Sequence, residues 1–198
     1  MADFLANMLV DGLYIGSRYA AEDGDFLFTN CIRRVVNLVG HKVQNRFQMM
    51  NVRYLTFQFE PTSVILDPED NHISMLVRFV QEAQDNDVQV LIHSENGDNR
   101  AVCYAAAYLV HRFHWPPDMA VEFVNAKRPC VRLSNELRQQ LWQFAERRRA
   151  KYGNFKNIFA TPPPSRMNAV EILHRNTFLN IVGQQPQTNL EISQKSPV

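Results

Sequence analysis

No uninterrupted apolar stretch approaches the roughly 20 residues of a membrane span, and no signal-peptide pattern opens the chain. Both absences argue against a membrane. Net charge is also nearly missing: 21 Lys and Arg against 20 Asp and Glu leave +1 at pH 7. So balanced a chain carries no basic field, which argues against nucleic acid and anionic lipid as partners. Cysteine is scarce. The three present, Cys31, Cys103 and Cys130, are widely spaced and odd in number. That speaks against a disulfide framework or a zinc site and suits a reducing, cytoplasmic compartment. Cys103 lies in an alanine-rich helical stretch, where a small buried thiol is the simplest reading. His111 and His114 lack companion ligands for a metal and read as solvent-facing or capping residues. Neither metal nor cofactor is expected.

What is present is ordinary globular composition, 45% hydrophobic and 21% charged. A length of 198 residues fits one domain of about 150 residues plus an appendage. We divide the chain into a domain over 1–150 and a Pro-containing extension over 151–198. Strand-like runs occur at Gly12–Gly16, Arg34–Val39, Arg53–Phe59 and Val88–Ile92. Helical patterns alternate with them. One runs from about Pro68 to Asp85, with Ile73, Leu76, Val77, Val80 and Ala83 on one face. A second spans Asn99 to Phe113. A third follows Pro116-Pro117, and a fourth starts at a Ser134-Asn135 cap and closes in Arg147-Arg148-Arg149. The alternation predicts an α/β sandwich around a mostly parallel sheet.

The character changes near Gly153. Thr161-Pro162-Pro163-Pro164-Ser165 cannot continue a helix. Met167 to Ile181 fits one short amphipathic helix, with Val170, Ile172, Leu173, Phe178 and Leu179 as its apolar face. Gln184 to Val198 has the polar composition of a disordered tail. Arg147 to Lys151 reads as a solvated helix end, with a docking patch for acidic surfaces as the alternative.

The chemistry-bearing segment is His93-Ser94-Glu95-Asn96-Gly97-Asp98-Asn99-Arg100-Ala101. Strand, glycine-containing loop, arginine and helix together are the layout of a loop whose amides cradle a phosphate. This loop closely resembles the H-C-x-x-G-x-x-R-S/T signature of the protein tyrosine and dual-specificity phosphatases, with Ser94 where that family keeps cysteine. Leu13-Tyr14-Ile15-Gly16-Ser17 is similar to the opening strand of the small dual-specificity members, and Val35-Val36-Asn37-Leu38 to their second strand. Tyr54-Leu55 resembles the pair before their general-acid loop, and Ala105 to Leu109 their A-Y-L helix. Lys127-Arg128-Pro129, then Ser134-Asn135 and Leu137 to Phe144, resemble their closing segment. The resemblance covers residues 8 to about 149 and implies a dual-specificity phosphatase-like three-layer sandwich.

The same resemblance assigns roles. Residues His93 to Arg100 are the phosphate-binding loop, with Gly97 for the tight turn and Arg100 to grip two oxygens. His93 would order the loop by a hydrogen bond. A cysteine thiolate should attack phosphorus. A serine hydroxyl stays protonated near neutral pH and needs a base, and no base stands in an obvious position. The general-acid position, counted from Tyr54-Leu55, falls at Pro61, which has no proton to give. Glu60 would face the other way, and Asp67 and Asp70 open the next helix. The hydroxyl after the arginine, which helps the thiolate leave, is replaced by Ala101. Losing a general acid costs about 10²- to 10⁴-fold, and losing a nucleophile on the order of 10⁶-fold.

Ser94, Pro61, Ala101 and Arg100 therefore read as relic positions, with no catalytic residue expected. The resemblance implies a pseudophosphatase: an inactive protein acting as a binding or scaffold module, with a cytoskeletal or ciliary assembly as one setting. Two alternatives stay open beside serine-based chemistry. One is an active protein tyrosine or dual-specificity phosphatase whose nucleophilic cysteine has been exchanged for Ser94. The other is a phospho-ligand sensor using the relic loop. Glu95 and Asp98 would repel an incoming phosphate, and either could instead pair with Arg100 and plug the site. The expected partners are proteins, phosphorylated or not, docking on the domain surface and on 151–198.

Overall fold

The computed structural model describes residues 5–10, 12–60 and 63–155. Pro61 and the expectations for the Pro-rich segment, the Met167–Ile181 helix and the tail lie outside the described residues.

A five-stranded sheet runs in the order β1-β2-β5-β3-β4. It comprises β1 (Ala6–Val10), β2 (Leu13–Gly16), β3 (Ile32–Asn37), β4 (Arg53–Thr56) and β5 (Gln89–His93). β2, β5, β3 and β4 are parallel, and β1 is antiparallel to β2 at the edge. β5 sits at the centre and sends alternate side chains to opposite faces. Leu91 joins Ile32, Val35 and Val52 beneath the short helices α1 (Arg18–Glu22) and α2 (Gly24–Thr29). Val90 and Ile92 join the larger core under α3 (Asn71–Gln84), α4 (Arg100–Phe113), α5 (Pro117–Lys127) and α6 (Asn135–Tyr152). The mostly parallel α/β sandwich is as expected from the sequence.

α4 is the central helix of that layer. From Ala101 to Val110 every residue is buried, and Ala105-Ala106-Ala107 lets neighbouring backbones approach. α3 buries Ile73, Leu76, Val80 and Ala83 of the predicted stripe, whereas Val77 is half-buried. It starts three residues later than the pattern suggested, because the Asp67 carboxylate accepts from the amides of Asn71 (2.8 Å) and His72 (2.9 Å). β4 likewise ends at Thr56. The Phe57 amide still donates to the Asn37 carbonyl of β3 at 2.8 Å, and Phe57 and Phe59 keep the alternation and stack at 5.2 Å, against Tyr104. β1, α1 and α2 were not foreseen. Helices of five and six residues are too short for a 3.6-residue period to register.

The end of α6 is not a solvated basic run. Arg147 donates to the Asp70 carboxylate at 2.7 Å, tying α6 to the start of α3. Arg148 is buried and stacks on Tyr152 with its guanidinium carbon 4.0 Å from the ring centre. Arg149 and Lys151 remain exposed.

Candidate functional site

Ser94 to Asn99 connects the C-terminal end of β5 to the first turn of α4. Gly97 has φ +72° and lies against the end of β2. A Cβ there would fall 2.4 Å from the Gly16 carbonyl oxygen and 2.8 Å from the Ser17 nitrogen. Only glycine meets both demands. Ser94 is buried at 4% exposure, and its Oγ accepts from the Gly97 amide at 3.2 Å. That is the one hydrogen bond at Oγ among the described residues, so none of their basic groups is bonded to it. Ala101 is fully buried and brings no hydroxyl.

The loop is held from behind by the segment between α5 and α6. Arg128, 4% exposed, donates through Nε to the Gly97 carbonyl (2.9 Å) and through Nη2 to the Asn96 carbonyl (3.2 Å). Its Nη1 reaches the Asn7 Oδ1 on β1 at 2.7 Å. The Arg132 amide donates to the Asp98 carbonyl at 2.8 Å. The Ser134 amide donates to Asn99 Oδ1 at 2.9 Å. Sequence reasoning noted Lys127-Arg128-Pro129 as a motif but assigned Arg128 no role. A cation flanked by proline was the available signal.

The charges are arranged differently from the expected plug. Arg100 pairs with neither Glu95 nor Asp98. Its fork donates instead to two main-chain carbonyls, of Phe59 (Nη1, 3.0 Å) and Glu60 (Nη2, 2.8 Å). The reason is position: Arg100 begins α4 facing the segment after β4, whereas Glu95 leaves the loop on the side of α1 and the β3–β4 connection. There Glu95 Oε1 lies 3.3 Å from Arg18 Nη1, and Oε2 lies 3.6 Å from Lys42 Nζ, an ion pair too long for a hydrogen bond. The Arg18 amide also donates to the Glu95 carbonyl at 3.1 Å. Arg18 and Lys42 were missed, since nothing in linear spacing places them beside the loop.

His93 is fully buried, and neither ring nitrogen is hydrogen-bonded, so it does not order the loop in the expected way. Burial lowers its pKa to about 4. The Ser94 backbone lies near enough to oppose the shift, though not in hydrogen-bonding geometry. The His93 carbonyl accepts from the Leu38 amide at 3.1 Å, joining the end of β5 to the residue that follows β3. Cys103 is buried as foreseen, and burial raises its thiol pKa far beyond the reactive range. His111 is half-buried rather than solvent-facing. Burial first, and then Arg148, His114 and Arg112, lower its pKa to about 4. His114 caps α4 in the left-handed region at φ +55°.

The described acidic side chains near the expected general-acid segment have other duties. Asp67 caps α3, Asp70 binds Arg147, and Glu60 is exposed with its carbonyl taken by Arg100. The loop opens into a cleft of about 630 Å³ between Ser94–Arg100, Lys42, Ser63 and the start of α6. At that rim Glu136 is held below the usual carboxylate range by its own backbone amide and the Ser134 hydroxyl. No cluster of His, Cys, Asp and Glu suited to a metal occurs among the described residues. Nor, among them, is any helix long and apolar enough to cross a membrane.

A family model described as the dual-specificity phosphatase catalytic domain matches residues 13–147. The Arabidopsis thaliana protein-tyrosine-phosphatase IBR5 is 27% identical over 143 residues, covering 72% of this chain and 52% of that protein. Mouse protein phosphatase Slingshot homolog 3 is 25% identical over 139 residues, covering 69% of this chain but 20% of its own length. The chain thus spans about half the length of the first of these relatives and a fifth of the second. Among solved structures, DUSP15 superposes with a TM-score of 0.63 at 25% identity, covering 71% of this chain and 86% of that one. The human tyrosine phosphatase-like serine/threonine/tyrosine-interacting protein superposes at 0.64 with 18% identity, covering 71% and 95%, and shares the fold. With the family model matching residues 13–147, most of the chain, this chain belongs to the dual-specificity phosphatase family.

Proposed function

We propose that the protein is a non-catalytic member of this family, a pseudophosphatase whose domain serves as a binding or scaffold module. One observation carries the reading: among the described residues, the hydroxyl at the nucleophile position, Ser94 Oγ, is hydrogen-bonded only by the Gly97 amide. A serine in that setting has no base to take its proton, and turnover through it lacks a nucleophile. Ala101 in place of a hydroxyl and Pro61 at the counted general-acid position reinforce it. The domain over 1–150 then presents its surface, with residues 151–198 as a second docking element, to a protein partner. A cytoplasmic setting in a cytoskeletal or ciliary assembly is the corresponding proposal for location.

The competing reading is an active phosphatase whose cysteine has been exchanged for Ser94. Retention of Gly97 and Arg100, and relatives that are named phosphatases, favour it. Hydrolysis of an aryl phosphate by the wild-type chain, Ser94→Cys and Ser94→Cys with Pro61→Asp and Ala101→Ser separates the two. We expect no turnover from the wild type and little from the single change, with activity arising only in the triple variant. Strong activity from Ser94→Cys alone would overturn the pseudophosphatase reading.

A further inference from the structure

Three cations beside the loop, Arg18, Lys42 and Arg100, are all engaged within the protein. Arg18 and Lys42 flank the carboxylate of Glu95 at 3.3 Å and 3.6 Å. Arg100 is committed to the carbonyls of Phe59 and Glu60. The side chains lining the cleft then leave two cationic groups, Lys42 and Arg100, against the carboxylates of Glu95, Asp98 and Glu136. A cradle meant for a dianion would show the opposite sign.

The geometry points to Glu95 as the residue that sets ligand class at this site. Its carboxylate is the loop's resident anion, occupying Arg18 and Lys42, so that the cradle refuses phosphate and sulfate. The inference deepens the binding-module reading and rests on it: the partner is recognised without a phosphate group. The physical argument is one of exchange. Arg18 and Lys42 are 40% and 56% exposed, so their ion pairs are weak and easily traded, while Glu95 Oε2 is itself shielded from water without a hydrogen-bond partner. A phosphate could therefore take both cations, but the displaced carboxylate would stay beside it, anchored by the Arg18 amide on the Glu95 carbonyl. The like charge, rather than the strength of the resident pairs, closes the site. Arg100 compounds the effect, because it can turn to a ligand only by releasing two carbonyls.

Calorimetry of the full chain with inorganic phosphate, sulfate and a phosphotyrosine peptide, at fixed ionic strength, tests this. Wild type should show no binding at millimolar ligand. Glu95→Gln keeps the side-chain shape at a half-buried position and should bind at least about tenfold more tightly, a change of about 1.4 kcal/mol. Adding Arg18→Gln should reverse that gain. Glu95→Ser serves as a second variant should the first fold poorly, with folding checked by thermal melting. Wild-type binding that is lost on Arg100→Ala would overturn the inference, as would neutral variants as silent as wild type. Failure of the pseudophosphatase reading would look different. It would appear as turnover of an aryl phosphate, not as affinity without turnover.

Discussion

The Nε of Arg128 donates to the carbonyl oxygen of Gly97 at 2.9 Å, so a buried cation fastens the one position of the loop that has left-handed backbone. The same guanidinium holds Asn96 and, across the sheet edge, Asn7. Shape of the loop is thus imposed by a residue that belongs to neither its strand nor its helix.

Arg128→Leu should cost about 3 kcal/mol of stability, because it strands buried carbonyls and removes charge-assisted bonds. Arg128→Lys should recover less than half of that, since an ammonium cannot reproduce the planar fork. Urea unfolding of the three chains measures both. A loss under 1 kcal/mol for Arg128→Leu would show the clamp to be incidental.

Gly97→Ala combines a left-handed φ with a Cβ 2.4 Å from the Gly16 carbonyl. The expected cost is about 3 kcal/mol or more. Gly153 also has positive φ, +90°, but a Cβ there meets nothing within 4 Å. Gly153→Ala should therefore cost only about 1 kcal/mol. The difference between the two melts isolates the clash with β2.

Stability should fall on mild acidification. The folded His93 has its pKa depressed from 6.5 to about 4, by burial. Below pH 6.5 the unfolded chain takes up a proton that the folded chain refuses until near pH 4. Stability is therefore complete above the unfolded value and declines as pH drops through that window. For His93 alone the loss between pH 7 and pH 5 is about 2 kcal/mol. His111, depressed to about 4, adds in the same direction. Denaturation at pH 7, 6 and 5 should show the decline, and His93→Gln should flatten it without removing it. An unchanged slope in that variant would locate the proton elsewhere.

Much of the site could be read from sequence because it is contiguous. The apolar run into His93, the glycine at 97, the arginine at 100 and the alanine-rich helix follow one another along the chain, and local backbone rules connect them directly. The stripe of Ile73, Leu76, Val80 and Ala83 was equally legible, since fourteen residues give the helical period room to show. α1 and α2 were too short for that, and the strand alternation at Phe57 and Phe59 ran on past the last residue of β4.

By itself the sequence determined the α/β order and the contiguous run from strand through glycine-turned loop to arginine and helix. Only the tertiary structure decided where the charges go. Arg100 lies on the carbonyls of Phe59 and Glu60, Glu95 lies between Arg18 and Lys42, and Arg128 grips the loop from 31 residues away. These pairings join segments that touch only once the sheet is assembled. Linear spacing carries the backbone's local preferences, but a long charged side chain selects its partner by distance and direction in space.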